Sequence, residues 1–338
     1  MLPNGQISYP LVVHKFYTKQ PLIMPTTPSA PSNHEPVLLD KVVELLEIKS
    51  GDVVVDGTLG LGGHAKRFAE LVGEEGRVVG FDLDGANLQL AQRNLRKFEG
   101  RVTFVNDSYD KIDHYLKALK LPPYNKVLLD LGVSSPHFDD AERGFSFRKA
   151  GPLDMRFDKR LNVTAEKILH KATQEQLENI LRNFGEVANF RKTARKIVEE
   201  RNAKRFTSTT NFVTRIESVL PKQTQNKVLA QIFQALRIAV NDELNVLQRG
   251  VHNLWTNLSV NGFIAIISYH SLEDRLVKQY FAPKLKSCIC PSSLLKCECR
   301  AKPEAFAVTK RVVVPTKEEE DANPRSRSAK LRVYQKLM

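Results

Sequence analysis

The chain has 338 residues, 42% of them hydrophobic, with 51 lysines and arginines against 38 acids and a formal net charge of +13. That length suits one large or two modest globular domains, and the charge points to a polyanionic partner, nucleic acid first. No apolar run reaches membrane-spanning length, and four cysteines are too few for a disulfide scaffold, so a reducing, cytoplasmic setting without a membrane is expected.

Residues 1–33 hold six prolines, no acid and no helical period, and read as a disordered leader without a signal-peptide core. Lys15 and Lys19 leave an organellar transit peptide as the competing reading, against which the scarcity of arginine counts. Met24 offers a later start. Order begins at His34-Glu35-Pro36-Val37-Leu38-Leu39, with an amphipathic helix to about Ile48. Strands near 52–56, 77–82, 102–106 and 126–131 then alternate with helices near 64–72, 84–98 and 110–120. Such alternation predicts a parallel, doubly wound α/β sheet.

Val53-Val54-Val55 runs into Asp56-Gly57-Thr58-Leu59-Gly60-Leu61-Gly62-Gly63-His64. A strand, a glycine-rich turn and a helix make a nucleotide cradle, because glycines permit a sharp turn and close ligand approach and the helix start offers free N–H groups. Gly60-x-Gly62-x-x-Ala65 also fits the dinucleotide fingerprint, which alone would suggest a nicotinamide-dependent oxidoreductase. Asp56 speaks against that. A carboxylate at the strand's end repels a pyrophosphate and suits the ammonium and sulfonium of S-adenosylmethionine. Asp82 ends the next strand roughly twenty residues after the glycines, where a ribose clamp belongs. Asp130, in Leu128-Leu129-Asp130-Leu131-Gly132-Val133-Ser134-Ser135-Pro136, ends the fourth on the same edge. In isolation Asp130 could be a loop cap; three acids at successive strand ends predict a methyl-donor site.

From Arg143 the texture changes to a glycine- and aromatic-bearing loop, Arg143-Gly144-Phe145-Ser146-Phe147 and Gly151-Pro152-Leu153-Asp154-Met155-Arg156, and then to helices as far as about Asn241. Thr173-x-x-Gln176 is a capping box. Residues 144–243 carry 19 lysines and arginines against 11 acids, densest at Arg191, Lys192, Arg195, Lys196, Arg201, Lys204 and Arg205. These are expected to contact RNA phosphates rather than merely solvate a helix face. The α/β pattern resumes with a buried strand at Asn261 to Ser268, followed by Tyr269-His270-Ser271-Leu272-Glu273-Asp274-Arg275, where Ser271 is the expected N-cap and His270 could be a structural histidine. Cys288-x-Cys290 and Cys297-x-Cys299 have one residue between cysteines where zinc pairs usually have two or more, so reduced, unliganded thiols are expected and no metal is assigned, with a structural zinc as the alternative reading. A basic loop with Arg325, Arg327, Lys330 and Arg332 leads into a last strand.

The motifs His34–Leu39, Asp56–His64, Leu129–Pro136, Arg143–Phe147, Gly151–Arg156, Phe233–Ile238, Val240–Leu244, Ser268–Arg275 and Ala322–Arg332 make the chain closely resemble the MraW/RsmH family of bacterial ribosomal RNA small-subunit methyltransferases H, collinearly from about residue 34 onward. The resemblance implies a class I (Rossmann-like) methyltransferase fold, in two parts at 34–143 and 244–338, interrupted by a helical substrate domain at 144–243. It implies S-adenosylmethionine-dependent N4-methylation of a cytidine in 16S rRNA of the small ribosomal subunit, near the decoding centre. The family's donor-binding positions fall on Gly62, Gly63, His64, Asp82, Tyr109 and Asp130; Asp56 and Gly60 join them from the strand-end reading. At a further family position, usually glutamine, stands His137, and Asn226–Ala230 departs from the family's usual run.

Asp130, Ser134 and Ser135 are the candidates to hold an exocyclic amine for methyl transfer, with Phe145 or Phe147 stacking on an extruded base. Methylation at cytosine carbon 5 normally needs a thiolate, and all four cysteines lie between 288 and 299, away from the strand-end loops. A non-catalytic RNA-binding assembly factor is the remaining rival, but such a protein has no use for a donor pocket. Oligomeric state is left open.

Overall fold

The computed structural model of this protein describes residues 36–288, 290, 299 and 301–338. The leader, His34, Glu35 and Cys297 lie outside the described residues. In chain order the first part runs α1 (Leu39–Leu46), β1 (Val53–Asp56), α2 (Gly63–Leu71), β2 (Arg77–Phe81), α3 (Gly85–Asn94), β3 (Val102–Val105), α4 (Ile112–Ala118) and β4 (Lys126–Asp130). There follow α5 (Ser135–Asp139), α6 (Ala165–Lys171), α7 (Gln174–Gly185), α8 (Phe190–Ala203), α9 (Thr209–Ile216), α10 (Gln225–Asn241) and α11 (Glu243–Asn257). The chain closes with β5 (Phe263–Ser268), α12 (Ser271–Phe281), β6 (Ala305–Ala307), α13 (Lys317–Ala322) and β7 (Lys330–Lys336).

Two compact units divide these elements: of the described residues, one holds 36–132 and those within 246–338, the other Val133–Asn245. The first is an α/β unit whose sheet has the order β3-β2-β1-β4-β5-β7-β6. β1 to β5 are parallel, with Asp56 in register with Gly80 on one side and Leu128 on the other. Val54, Val55, Val78, Val79, Leu128, Leu129 and Ile264 to Ile267 are buried, as strands covered on both faces require. On one face of the sheet, Val42, Leu46, Phe68 and Ala69 from α1 and α2 share a core with Val54, Val78, Leu128, Ala265 and Ile267, and each large apolar side chain so buried stabilises the unit by about 1.5–3 kcal/mol.

The parallel, doubly wound expectation holds for β1 to β5, and β7 departs from it, running antiparallel between β5 and the short edge strand β6, which again points the same way as β5. The reason lies in where the chain arrives. A tight turn at Pro324–Ser328 delivers it beside Ser268, at the carboxyl end of β5, so β7 can only run back, pairing Ser268 with Lys330 and Phe263 with Gln335. The expected cap of α12 is also corrected. His270, not Ser271, is the N-cap: its ring accepts from the Glu273 N–H, and the Glu273 carboxylate reaches back to the N–H groups of Tyr269 (2.8 Å) and His270 (3.3 Å). Glu273 stands three residues after His270, the spacing a reciprocal cap demands.

In the second unit the described residues form helices and no strand. The Thr173 and Gln176 box closes as expected, with bonds of 2.8 and 3.2 Å. Its core is apolar: Ile180, Leu181, Ala194, Ile197, Phe206, Phe212, Ile232 and Leu236 are all buried. The glycine-bearing loop folds onto this core. Gly144 has φ +72, and a Cβ there would come within 2.0 Å of the Pro152 carbonyl oxygen. Asn241, at the end of α10, accepts from the Phe157 N–H (2.8 Å) and donates to the Met155 carbonyl (2.7 Å), pinning the loop from both directions.

Candidate active site

The parallel register sets the carboxyl ends of β1, β2 and β4 side by side, so Asp56, Asp82 and Asp130 share one edge of the sheet. Asp56 is buried and Asp82 and Asp130 are half-buried, and desolvation raises each carboxyl from 3.8 to about 7. For Asp56 the nearby Asp130 and Asp82 add to the rise, while the Thr58 N–H (3.1 Å) opposes it. Its other oxygen, Oδ2, is buried without a hydrogen-bond partner. Asp82 accepts from the Gly60 N–H (2.8 Å) and the Asp84 N–H (2.7 Å), which ties the end of β2 to the glycine turn after β1.

The turn is shaped by its glycines. Gly60 (φ +55) and Gly62 (φ +83) have left-handed backbone, and at Gly60 a Cβ would meet nothing nearer than 3.9 Å. At Gly62 it would strike Leu95, at 2.8 Å. Gly60 therefore leaves room for a ligand, whereas Gly62 and Gly63, the latter under Pro36, serve close packing. Tyr109 is buried between two glycines, Gly57 and Gly250, whose added Cβ atoms would strike it at 3.1 and 2.1 Å.

Asp130 is the most elaborated of the three acids. Its Oδ1 accepts from the Tyr269 hydroxyl at 2.7 Å, and its backbone N–H donates to the Thr58 hydroxyl at 2.6 Å. Its Oδ2 lies 3.9 Å from His64 Nδ1. That is not an ion pair: burial lowers His64 from 6.5 to about 4, so the ring is neutral at pH 7. His64 Nε2 is 3.1 Å from the Val37 carbonyl and must carry the proton, which leaves Nδ1 an acceptor. Two acceptors so placed suit an N–H donor between or beside them.

Past Gly132 the chain enters the helical unit. There Ser134 Oγ and His137 Nδ1 are 2.9 Å apart, and Ser135 Oγ is buried without a partner. His137 is buried against Phe145 and Phe157, with ring centroids 5.0 and 5.2 Å away. Phe145 is 5% exposed and stacks on Phe157 at 5.5 Å, so its faces are occupied and it does not fit the expected role of base-stacking platform. Phe147 remains half-buried, edge-on to Phe233.

The basic run separates into two groups. Arg201 donates to the carbonyls of Leu169 and Ala172, capping the end of α6; Lys196 pairs with Glu200 (2.6 Å) and Arg205 with Glu166 (2.6 Å). These three maintain the helical packing. Arg191, Lys192, Arg195 and Lys204 are exposed, and among the described residues only Arg191 of these stands near an acid, Glu178 at 4.0 Å.

Tyr269 and Thr58 are functional candidates that the sequence alone does not mark. Both lie inside recognisable motifs, yet nothing local identifies either as a partner of Asp130, which is 139 residues from Tyr269.

A parallel sheet with one reversed strand, β7, between β5 and the edge, acids at the strand ends and a glycine turn open at Gly60 is the architecture of class I methyltransferases. The donor set fits S-adenosylmethionine: the buried, unpartnered Asp56 Oδ2 and the clustered carboxylates call for a cation, and Asp82 reaches the glycine turn as a ribose clamp does. The profile of the MraW methylase family matches residues 31–337, and the chain belongs to that family. It is 38% identical over 308 residues to the ribosomal RNA small subunit methyltransferase H of Halothermothrix orenii, covering 90% of this chain and 99% of that one. The proteins of the same name from Syntrophus aciditrophicus and Heliobacterium modesticaldum are 39% and 40% identical, each over 90% of this chain and 98% and 99% of their own lengths.

Proposed function

We propose that the protein transfers a methyl group from S-adenosylmethionine to the exocyclic N4 of a cytidine in 16S rRNA of the small ribosomal subunit, near the decoding centre, acting in the cytoplasm. The observation that carries the reading is the acceptor pair of Asp130 Oδ2 and neutral His64 Nδ1 at the end of β4, within a full-length likeness to ribosomal RNA small subunit methyltransferases.

When bound, S-adenosylmethionine supplies a methyl group on a sulfonium, already an activated leaving group. Asp56, Gly60, Gly62, Gly63, His64, Asp82 and Tyr109 hold and enclose it. Asp130, oriented by Tyr269, serves both as part of that wall and as an acceptor for an amine hydrogen. Ser134, steadied by His137, and Ser135, whose hydroxyl has unspent bonding capacity, are the other candidate acceptors. Orienting the amine is the chief demand, because its lone pair is delocalised into the ring and its proton becomes acidic once the methyl is attached. Residues 144–243 form the substrate-recognition insert; their exposed cations, Arg191, Lys192, Arg195 and Lys204, meet phosphates, and Phe147 is the remaining stacking candidate. A carbon-5 mechanism is disfavoured by the cysteine positions, since no thiol stands in the segments that carry Asp56, Asp82 and Asp130.

The test is to incubate the enzyme and labelled donor with small subunits that lack the modification, then digest and map the nucleoside. N4-methylcytidine at one position is the expected product. Label in 5-methylcytidine or on a ribose would overturn the assignment.

A further inference from the structure

The cysteine pairs have no part in methyl transfer, yet three of the thiols converge. The Sγ atoms of Cys288, Cys290 and Cys299 all lie within 4.8 Å of one another, half-buried. Those of Cys288 and Cys299 are 3.8 Å apart. A disulfide needs about 2.05 Å, so this pair is not one. Metal–sulfur bonds of about 2.3 Å at a tetrahedral centre put neighbouring sulfurs about 3.8 Å apart, which is the observed separation.

The one-residue spacing, which on sequence alone argues against a metal, is accommodated by the backbone. In an extended chain residues two apart project to the same face, with Cα atoms about 6.7 Å apart. The chain bends at Ser287 and again at Cys290, and the two sulfurs lie within 4.8 Å of each other. A clamp joins the two ends of the segment that carries the three thiols. The Lys284 carbonyl accepts from the N–H groups of Glu304 (2.8 Å) and Ala305 (3.0 Å), and the Lys284 ammonium pairs with the Glu304 carboxylate (2.7 Å). This clamp joins the end of α12 to the start of β6, and the thiols gather on the segment it closes off.

We propose that Cys288, Cys290 and Cys299 bind a zinc ion that staples the connection between α12 and β6. Thiolates are soft ligands and select zinc over magnesium or calcium. An iron–sulfur cluster fits less well, because, of three cysteine sulfurs, at least one sits on a different iron and stands further away than sulfurs sharing one metal. Lys284, Lys286 and Lys302 flank the thiols in sequence, and their positive charges offset the negative charge of a metal–thiolate centre. The metal is structural: it holds in shape a lysine-bearing connection that a short β6 of three residues does little to anchor.

The full chain, purified under reducing conditions from zinc-supplemented cells without an affinity tag, is expected to carry one zinc per chain by elemental analysis. Replacing the zinc with Co(II) should give a thiolate-to-metal charge-transfer band and the intense visible bands of a tetrahedral site. Cys288→Ser and Cys299→Ser should each weaken metal retention at least tenfold while leaving S-adenosylmethionine affinity at the parent value. Because either variant could fail to fold, the cobalt spectrum of the parent decides independently. Absence of zinc together with weak, octahedral cobalt bands would overturn the proposal. So would a Cys288–Cys299 disulfide found by mass spectrometry in place of bound metal.

Discussion

His64 turns its Nδ1 to within 3.9 Å of Asp130 Oδ2 while its Nε2 is held by the Val37 carbonyl, so a neutral imidazole and a carboxyl with its pKa near 7 face each other as two acceptors. Together with Asp56 and Asp82, both also raised to about 7, this makes a site whose charge depends on pH across the neutral range.

Donor binding should therefore be proton-linked. The free site holds protons on carboxyls whose folded values are near 7, and a cationic ligand favours their ionised forms, so binding releases protons. Affinity for S-adenosylmethionine should fall as pH drops from 7.5 to 5.5, by up to about tenfold per unit for each proton coupled. Calorimetry in two buffers of different ionisation enthalpy at pH 7 measures the release directly. Equal apparent enthalpies in the two buffers would show that the carboxyls are already ionised before binding.

Asp82→Ala removes an acceptor that serves the Gly60 and Asp84 N–H groups as well as a ribose hydroxyl. A charge-assisted bond contributes about 1.5–3 kcal/mol, so donor affinity should weaken by roughly 10- to 150-fold. Asp82→Asn should fall between the two, because it keeps an acceptor oxygen without the charge. Parent-like affinity in the alanine variant would place the ribose clamp elsewhere.

Tyr269→Phe tests the positioning of Asp130. The hydroxyl's bond lowers the Asp130 pKa against the upward push of burial. Its loss should move the acidic limb of the pH–rate profile to higher pH and reduce the rate at pH 7 more than at pH 9. Loss of folding stability alone would lower the rate evenly at both, and that pattern would relegate Tyr269 to packing.

The two groups of cations should separate experimentally. Changing Lys192, Arg195 and Lys204 together to Gln should weaken RNA binding and flatten log affinity against log salt by about 2, at roughly 0.7–0.9 for each phosphate no longer neutralised, with little change in thermal stability. Arg201→Gln should instead lower the melting temperature, since it leaves the Leu169 and Ala172 carbonyls without their donor. An unchanged salt slope in the triple variant would end the idea that this face docks RNA.

Much of the donor side was legible in the chain because its signals are local. Val53 to Asp56 is a strand by its own residues, the glycines that follow dictate the turn, and an acid at a strand's end falls on the ligand edge of any parallel sheet. The Thr173 and Gln176 cap was legible for the same reason, as both partners lie within one turn. Other features depend on residues that meet only after folding. The Tyr269 bond to Asp130, Arg201 on the end of α6, the reversal of β7 beside β5 and the convergence of Cys288 with Cys299 all join distant or bent segments that no period records. Sequence determined which residues could form strands, turns and a donor cradle, because backbone propensity and side-chain alternation act over a few residues. Tertiary structure alone decided which basic and aromatic side chains are already occupied, such as Phe145 against Phe157 and Arg205 against Glu166, because burial and pairing are properties of the neighbours that folding brings.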